Sequence, residues 1–346
     1  MRIFLFILCL LTAQCHSVIH EKVVICGVGR DIGPRLPYTI EIMEQIGALF
    51  EDYKIVVYEN NSKDNTILLL KDWEAYNSKV LVQSENLSEE DLTAIVINRN
   101  DDKSVFRPEL ISRARNIVLD IVMSKAYEDY TYIIWMDMDF KIPPSYEGII
   151  ETFETDREWD AVLAYGIDPP GTYWDWYAFR DAVYPLGSEL LGNTWWYMPK
   201  SFSLTPESDW YPVYSAFGGC GIYKKNSIKG CRYSATVTPD LEYCANELIN
   251  QGKLTDHPQI KLYLRLLNQI YSLANIQSPQ PNLKRIRDPH TGILLGLSSE
   301  PLIWRMSSFV YQYPSTCEHV PFHASMIRRG HGKIFINPRL IFHYGG

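Results

Sequence analysis

The chain has 346 residues and a net charge of −8, and 46% of its residues are hydrophobic while 21% are charged. This length allows one large α/β domain or two modest ones, and the composition is that of an ordinary globular protein. The acidic balance argues against a nucleic-acid partner, because contacts to DNA or RNA phosphates need clustered lysine and arginine. It leaves small phosphate-bearing ligands open, since one metal ion and one or two arginines can hold them.

The amino terminus has the pattern of a secretory signal. Met1 and Arg2 precede an apolar run at 3–13, and the small or polar residues at 15–17 follow. The run is short for a bilayer span, so a short membrane anchor is the alternative. We therefore predict a signal peptide or anchor at 1–17 and a secretory or extracytoplasmic location. Membrane contact is expected only through this segment if it stays uncleaved. Its removal takes two of the seven cysteines and leaves an odd number, which predicts no disulfide framework.

Strands and helices alternate in the first half of the chain. Short apolar, β-branched strands are predicted at 22–26, 53–58 and 79–83. Helices with apolar residues at helical spacing are predicted at 38–50, at 64–76 and, with a proline in the first turn, at 108–127. Repeated strand–helix units predict a Rossmann-like, doubly wound and mostly parallel α/β sheet with right-handed crossovers.

Two carboxylates end the apolar run at 132–140. Asp137 and Asp139 stand at i and i+2, before two prolines, and the carboxyl end of a parallel strand faces the ligand crevice. A strand would point both carboxylates to one face, whereas in a turn one would bind a metal directly and the other a ligand or water. Two neighbouring acids repel without a cation, and an open oxygen site suits Mg²⁺ or Mn²⁺ on a diphosphate. The Asp-x-Asp pattern is typical of nucleotide-sugar glycosyltransferases with the GT-A fold.

A polar loop follows the second predicted strand. Glu59, Ser62 and Asp64 offer oxygen groups that can bind base and ribose at this position. Ser62 or Asp64 can equally cap the next helix, and the two interpretations are compatible. In GT-A enzymes such a loop contacts the nucleoside.

Two arginines lie on the helix before the Asp-x-Asp strand. Arg113 and Asn116 share a helix face, and Arg115 points elsewhere. A guanidinium matches diphosphate oxygens bidentately. We therefore expect Arg113 or Arg115 to meet the donor phosphates.

The second half is less regular. A helix is predicted at 145–155, a strand at 159–165, a small-residue strand at 215–224 and a helix at 240–251. Between them, 173–214 is rich in aromatic residues, which either wall a sugar or nucleoside site or serve only as packing, and we predict that it forms the acceptor-side half. No element is assigned to 256–305. We predict a single domain at 18–346, with 256–305 as an insertion.

Several charged groups in this half are candidate sugar ligands. Asp175, Arg180 and Asp181 stand among aromatic rings, either as a buried ion pair or as groups that grip sugar hydroxyls. Near the carboxyl end, Glu318 can orient the acceptor or act as a base. His323 is a candidate because a late histidine commonly completes the metal shell of GT-A enzymes.

Five segments resemble the cryptococcal capsule-associated α-1,3-mannosyltransferase family. They are Tyr58-Glu59 with Ser62, Asp64 and Thr66; Arg115-Asn116 with Leu119; 166–168 with 173–181; 212–219; and Glu318 with His323. The resemblance spans about 22–323 without 256–305. The chain departs from the family pattern by an extra acid at Asp139, by Ser325 in place of an acid and by His319 in place of a cysteine.

The resemblance implies a GDP-mannose donor, a divalent metal and transfer with retention of anomeric configuration, although looser relatives use UDP-sugars. We therefore predict a hexosyltransferase that binds a nucleotide-sugar donor and a glycan acceptor. Asp137, Asp139 and His323 would hold Mn²⁺ or Mg²⁺. Nucleoside and phosphates would meet Glu59, Ser62, Asp64, Arg113, Arg115, Asn116 and Arg180, and Asp175, Asp181 and Glu318 would act on the sugars.

Two other functions fit parts of the pattern. A glycoside hydrolase also uses two carboxylates, and a retaining one needs about 5 Å between its two carboxyl groups. We expect Asp137 and Asp139, at i and i+2, to lie closer together than that. A non-catalytic sugar-binding protein would bind glycans without metal-dependent turnover.

Overall fold

The computed structural model describes residues 18–95, 107–191, 201–250, 258, 283–287, 294–298 and 316–344. The strands are β1 (Ile19–Gly29), β2 (Phe50–Asn60), β3 (Val80–Glu85), β4 (Tyr132–Asp137), β5 (Ala161–Ile167), β6 (Tyr211–Pro212), β7 (Cys220–Lys224), β8 (Leu283–Arg287), β9 (Leu294–Ser298) and β10 (Ile334–His343). The α-helices are α1 (Leu36–Gly47), α2 (Thr66–Tyr76), α3 (Glu89–Ile95), α4 (Arg107–Val122), α5 (Tyr146–Glu154), α6 (Ser188–Leu191), α7 (Pro239–Asn250) and α8 (His319–Arg328).

Eight of these strands form one sheet, in the order β3-β2-β1-β4-β7-β5-β10-β6. Strands β3, β2, β1 and β4 are mutually parallel, and β10 is parallel to β5. Strand β7 runs antiparallel between β4 and β5, and the short β6 runs antiparallel at the edge. The predicted mostly parallel α/β sheet is confirmed, and the antiparallel β7 is a feature that strand–helix alternation did not predict.

Alternate residues of the central strands enter two separate hydrophobic cores. In β1, Val24 belongs to one core cluster and Val23 to the other. Helix α4 adds Val118 to the first cluster and α1 adds Met43 to the second. Because side chains alternate across a strand, one core lies on each face of the sheet. This double burial explains the apolar runs at 23–26 and 133–136.

Two glycines position β7. Gly218 and Gly219 have φ angles of 63° and 87°, in the left-handed region that residues with a Cβ avoid. A Cβ on Gly218 would lie 2.1 Å from the carbonyl oxygen of Ala164 in β5. The chain enters β7 through this close backbone contact, so the antiparallel strand depends on glycine at 218.

Some sequence predictions concern segments that the structure does not describe. The predicted signal peptide at 1–17 lies outside the described residues, as does most of the predicted insertion at 256–305. Within that insertion, the structure describes residue 258 and a two-stranded antiparallel hairpin of β8 and β9. The described helices are all too short or too polar to cross a membrane.

Candidate functional site

A cavity of about 640 Å³ opens at the carboxyl ends of the central parallel strands. Strand β1 pairs with β2 on one side and β4 on the other, and Val28 of β1 is level with Asp137 of β4. The chain switches here from one half of the sheet to the other, which is where open α/β sheets bind ligands. Val28, Tyr58, Asn60 and Asp137 line the cavity from three adjacent strands.

Asp137 is the last residue of β4 and has a partner on each carboxylate oxygen. The Tyr344 hydroxyl donates to Oδ2 at 3.0 Å, and Nη2 of Arg115 lies 3.4 Å from Oδ1. Burial raises the pKa of Asp137 to about 7 although Arg115 lowers it, and the Asp139 carboxylate raises it further. An added cation would therefore stabilise the ionised pair of aspartates.

Asp139 lies beyond the end of β4. The two aspartates therefore do not share one strand face, and the structure favours the alternative in which the chain turns after Asp137. The intervening Met138 is buried against β1, where a Cβ on Gly27 would lie 2.5 Å from its sulfur. The carbonyl of Met138 accepts from Thr39 Oγ1 at 2.9 Å, and the carbonyl of Asp139 accepts from Arg35. These contacts fix the turn and leave the Asp139 side chain exposed at the cavity.

The two aspartates fit a hard divalent cation. They offer only oxygen ligands, and no described residue hydrogen-bonds the Asp139 carboxylate. In the described part of the chain, no cluster of three or more His, Cys, Asp or Glu residues is arranged to hold a metal. The protein would thus contribute two carboxylates and leave the other positions to phosphates and water, as is usual for Mg²⁺.

Arg115 links Asp137 to Glu318 at the buried end of the cavity. Its Nε lies 3.2 Å from Oε1 of Glu318, and the arginine side chain is 3% exposed. The guanidinium also lies 4.7 Å from the ring centre of Phe217. Burial acts to lower the pKa of Arg115, but Glu318 and Asp137 raise it overall, so the side chain stays charged.

Asp175, Glu318 and His319 complete the buried end. Oδ2 of Asp175 accepts the Gly218 amide at 3.0 Å, and burial raises the pKa of Asp175. The His319 ring stacks on Phe217 with centroids 3.9 Å apart, and its Nε2 lies 3.5 Å from Oε1 of Glu318. Burial lowers the pKa of His319 well below its usual range. His319 was not among the predicted site residues, although its place at a family cysteine position was a signal.

His323 lies elsewhere. It is fully buried, with Nδ1 3.0 Å from the Ser215 hydroxyl and Nε2 3.0 Å from the Tyr223 hydroxyl. Both ring nitrogens therefore have protein partners, and the residue does not line the described cavity. This arrangement argues against the predicted metal ligation by His323.

Arg180 and Asp181 also lie apart from the described cavity lining. Arg180 pairs with Glu189 at 2.7 Å, with both side chains buried. Asp181 accepts the Val183 amide at 2.8 Å and the Tyr211 hydroxyl at 2.7 Å. Arg180 thus forms a buried ion pair with Glu189, whereas the predicted pair was with Asp175 or Asp181, and the contacts of Asp181 favour a structural role.

Of the two candidate arginines of α4, Arg115 belongs to the described cavity lining and Arg113 does not. Arg113 pairs with Glu85 at 2.6 Å and donates to the Tyr58 hydroxyl at 2.8 Å, outside the described cavity lining. Asn116 exchanges two 2.9 Å hydrogen bonds with the Tyr233 backbone. Arg115 points away from the face of Arg113 and Asn116, as its helical position predicts, and it is the α4 arginine that lines the cavity. The sequence feature that could have indicated the buried position of Arg115 is the set of apolar residues on the same helix face.

The predicted nucleoside loop is held by its own side chains. Glu59 accepts the Ser62 amide at 2.7 Å, and the Ser62 hydroxyl accepts the Asp31 amide at 3.0 Å. Asp64 accepts the Gly33 amide and the Thr66 amide, both at 2.9 Å. These residues join the loops after β1 and β2. The polar residues presented to the cavity here are Arg30 and Asp31 of the loop after β1 and Asn60 at the end of β2.

Comparison with known proteins gives weak similarities. No protein-family model matches the chain, and no curated protein matches significantly. A structure of TarS 1–349 from S. aureus shares 11% identity over 66% of this chain and 56% of that one, with a TM-score of 0.37. A second TarS structure shares 13% identity over 73% of this chain and 44% of that one, with a TM-score of 0.38. The match therefore spans about half of each TarS chain.

Two further structures are similar at the same level. The mannosyltransferase PcManGT from Pyrobaculum calidifontis, in complex with GDP-Man and Mn²⁺, shares 12% identity over 76% of this chain and 66% of that one, with a TM-score of 0.36. Mannosyl-3-phosphoglycerate synthase from Rubrobacter xylanophilus shares 13% identity over 85% of this chain and 87% of that one, with a TM-score of 0.35. Such TM-scores are too low to assign an activity.

Proposed function

We propose that this chain is a metal-dependent glycosyltransferase of the GT-A type that moves a sugar from a nucleoside-diphosphate donor to a glycan acceptor. The observation that carries the proposal is the position of Asp137 and Asp139. They lie at the switch point of a mostly parallel sheet, in a cavity whose buried end holds Arg115 and Glu318. The oxygen ligands for a cation, Asp137 and Asp139, thus share one cavity with the Glu318 carboxylate, which would act on the acceptor.

The donor would bind at the open end of this cavity. Asp137 and Asp139 would hold Mn²⁺ or Mg²⁺, which supplies Lewis-acid stabilisation of the leaving diphosphate. Tyr344 and Arg115 fix the Asp137 carboxylate through one contact on each oxygen. The loops that carry Asp31 and Asn60 would meet the nucleoside. The family resemblance favours GDP-mannose as donor, and a UDP-sugar is the alternative.

Glu318 would act on the acceptor. Its Oε1 is held by Arg115, so the carboxylate is fixed within the cavity. In the transfer, an acceptor hydroxyl oxygen bonds to the anomeric carbon as the bond from that carbon to the diphosphate breaks, and the hydroxyl proton passes to Glu318. A single displacement of this kind inverts the anomeric configuration. The family resemblance favours retention instead, which would require the hydroxyl to attack from the face of the leaving diphosphate, whose oxygen would then take the proton.

The compartment and chain organisation follow from the sequence. The apolar segment at 1–17 supports a lumenal or extracytoplasmic reaction. We propose that 18–346 forms one catalytic domain with 256–305 as an insertion.

The test is calorimetric titration of residues 18–346 with GDP, UDP and GDP-mannose, with and without Mn²⁺. We expect Mn²⁺-dependent binding of one nucleotide that is lost in Asp137→Asn and Asp139→Asn and retained in the control Asp72→Asn, an exposed acid on α2. No nucleotide binding under any condition would overturn the proposal. Release of free sugar from a glycan would then indicate a hydrolase, and metal-independent glycan binding would indicate a lectin-like protein.

A further inference from the structure

Three buried polar atoms at the inner end of the cavity have no hydrogen-bond partner among the described residues. They are Nη1 of Arg115 and both ring nitrogens of His319, whose Nε2 lies 3.5 Å from Oε1 of Glu318 without forming a hydrogen bond. The two side chains are 3% and 2% exposed, and both line the cavity. A buried donor or acceptor without a partner costs free energy. These atoms therefore mark a place where a ligand supplies hydrogen bonds.

The chemistry of these atoms suits a hydroxyl group. His319 is held neutral by burial and by the neighbouring Arg115 cation, and a neutral imidazole has one donor nitrogen and one acceptor nitrogen. Arg115 Nη1 can only donate. A hydroxyl donates one hydrogen bond and accepts others, so a pair of sugar hydroxyls can satisfy all three atoms together.

The charge of the cavity disfavours an anion at the same place. The lining includes the carboxylates of Asp31, Asp137, Asp139, Asp175 and Glu318, against two arginines among the described lining residues. Arg115 already faces two of these carboxylates. A phosphate or carboxylate on the acceptor would therefore meet like charges that the one nearby cation does not offset.

A ring surface for a sugar lines the same cavity. The Trp174 side chain is 55% exposed and lines the cavity, and its ring centre lies 6.0 Å from that of Tyr344. Ligand sites commonly combine aromatic walls with a few placed polar groups. An exposed indole in the same cavity as buried, unpartnered polar atoms matches a sugar ring, which has both an apolar face and hydroxyls.

We propose that Trp174, His319 and Nη1 of Arg115 form the acceptor subsite, and that it takes an uncharged sugar residue. This inference rests on the proposed transferase function and names its acceptor class. His319 is an acceptor-binding residue here, beside the carboxylate that receives the hydroxyl proton.

The experiment is a glycan array carrying neutral oligosaccharides and matched ones that end in sialic acid, glucuronic acid or a 6-phosphate. It is probed with the protein alone and with Mn²⁺ plus GDP or UDP. We expect retention on neutral glycans and loss of apparent affinity by about 10-fold in His319→Phe, which keeps the stacking ring but removes the nitrogens. His319→Gln should restore part of the binding. Trp174→Ala, an exposed position, should also weaken it about 10-fold.

Calorimetric nucleotide affinity separates the subsite from the transferase function. His319→Phe and Trp174→Ala should both bind the Mn²⁺ nucleotide like the parent protein. Three results would overturn the subsite. The first is retention only on the charged glycans, and the second is equal glycan binding by His319→Phe, Trp174→Ala and the parent. The third is a parent protein that binds nucleotide but is retained on no glycan. A parent protein that binds no nucleotide overturns the transferase function instead, and its neutral-glycan binding would still respond to both substitutions if the subsite exists.

Discussion

The Tyr344 hydroxyl donates a 3.0 Å hydrogen bond to Oδ2 of Asp137, across 207 positions of sequence. It joins the residue that follows β10 to the end of β4, two strands that do not pair in the sheet. The carboxyl terminus thereby orients a candidate metal ligand. Such outer contacts of a ligand commonly govern metal affinity.

Tyr344→Phe should weaken Mn²⁺ binding in the presence of nucleotide by about 10-fold near pH 7. Burial raises the pKa of Asp137 to about 7, and the Tyr344 hydrogen bond opposes this rise. Without it the pKa rises further, a larger fraction of Asp137 is protonated, and the metal must displace that proton. The deficit should shrink as the pH rises from 6.5 to 8.5. Titration of Mn²⁺ at both pH values measures it, with the exposed Tyr76→Phe as control. An equal deficit at both pH values would contradict this account.

The two arginines of α4 should differ in their effect on stability. Arg115→Gln leaves Asp137 and Glu318 without their cation in a buried site, so the free energy of unfolding should fall by about 3–5 kcal/mol. Arg113→Gln breaks a pair with Glu85 in which both side chains are more than a quarter exposed, and the loss should be about 1 kcal/mol or less. Urea unfolding of both variants tests the contrast. Equal losses would show that Arg115 is not the buried link.

His323 should make the protein less stable in acid. Burial lowers the pKa of His323 to about 3, whereas an unfolded histidine has a pKa of about 6.5. Between these pH values the unfolded state binds one more proton than the folded state. The contribution of His323 to the free energy of unfolding is therefore complete above about pH 6.5 and declines as the pH falls. The slope of unfolding free energy against pH should be smaller in His323→Gln by about 1.4 kcal/mol per pH unit between pH 4 and 6. An unchanged slope would mean that His323 is protonated in the folded protein.

Gly218 and Gly171 provide a matched test of the close contact that admits β7. Both have a positive φ, but a Cβ on Gly171 meets nothing within 4 Å, whereas one on Gly218 meets the Ala164 carbonyl at 2.1 Å. Gly171→Ala should cost about 1 kcal/mol from backbone strain alone. Gly218→Ala should cost about 3 kcal/mol or more because the two backbones must separate. Thermal and urea unfolding measure both, and similar costs would contradict the steric argument.

The alternation of apolar strands and amphipathic helices was sufficient to predict the parallel half of the sheet and the position of Asp137 at a strand end. These features are local, because side-chain periodicity follows from backbone geometry within one element. The helix face of Arg115 was also readable, since Ile111, Val118 and Val122 lie on that face at helical spacing. A lone cation on an apolar face requires a buried partner.

The partners themselves were decided by the tertiary structure. Arg115 meets Glu318 across 203 positions of sequence, and His323 turned away from the cavity toward Ser215 and Tyr223. The antiparallel β7 is preceded by a close backbone contact between Gly218 and Ala164 of β5, residues that are far apart in the sequence. The sequence by itself determined the elements and the acids at their ends. Which distant side chains share the cavity was decided only by chain packing, because long-range pairing depends on how the whole sheet closes around its two cores.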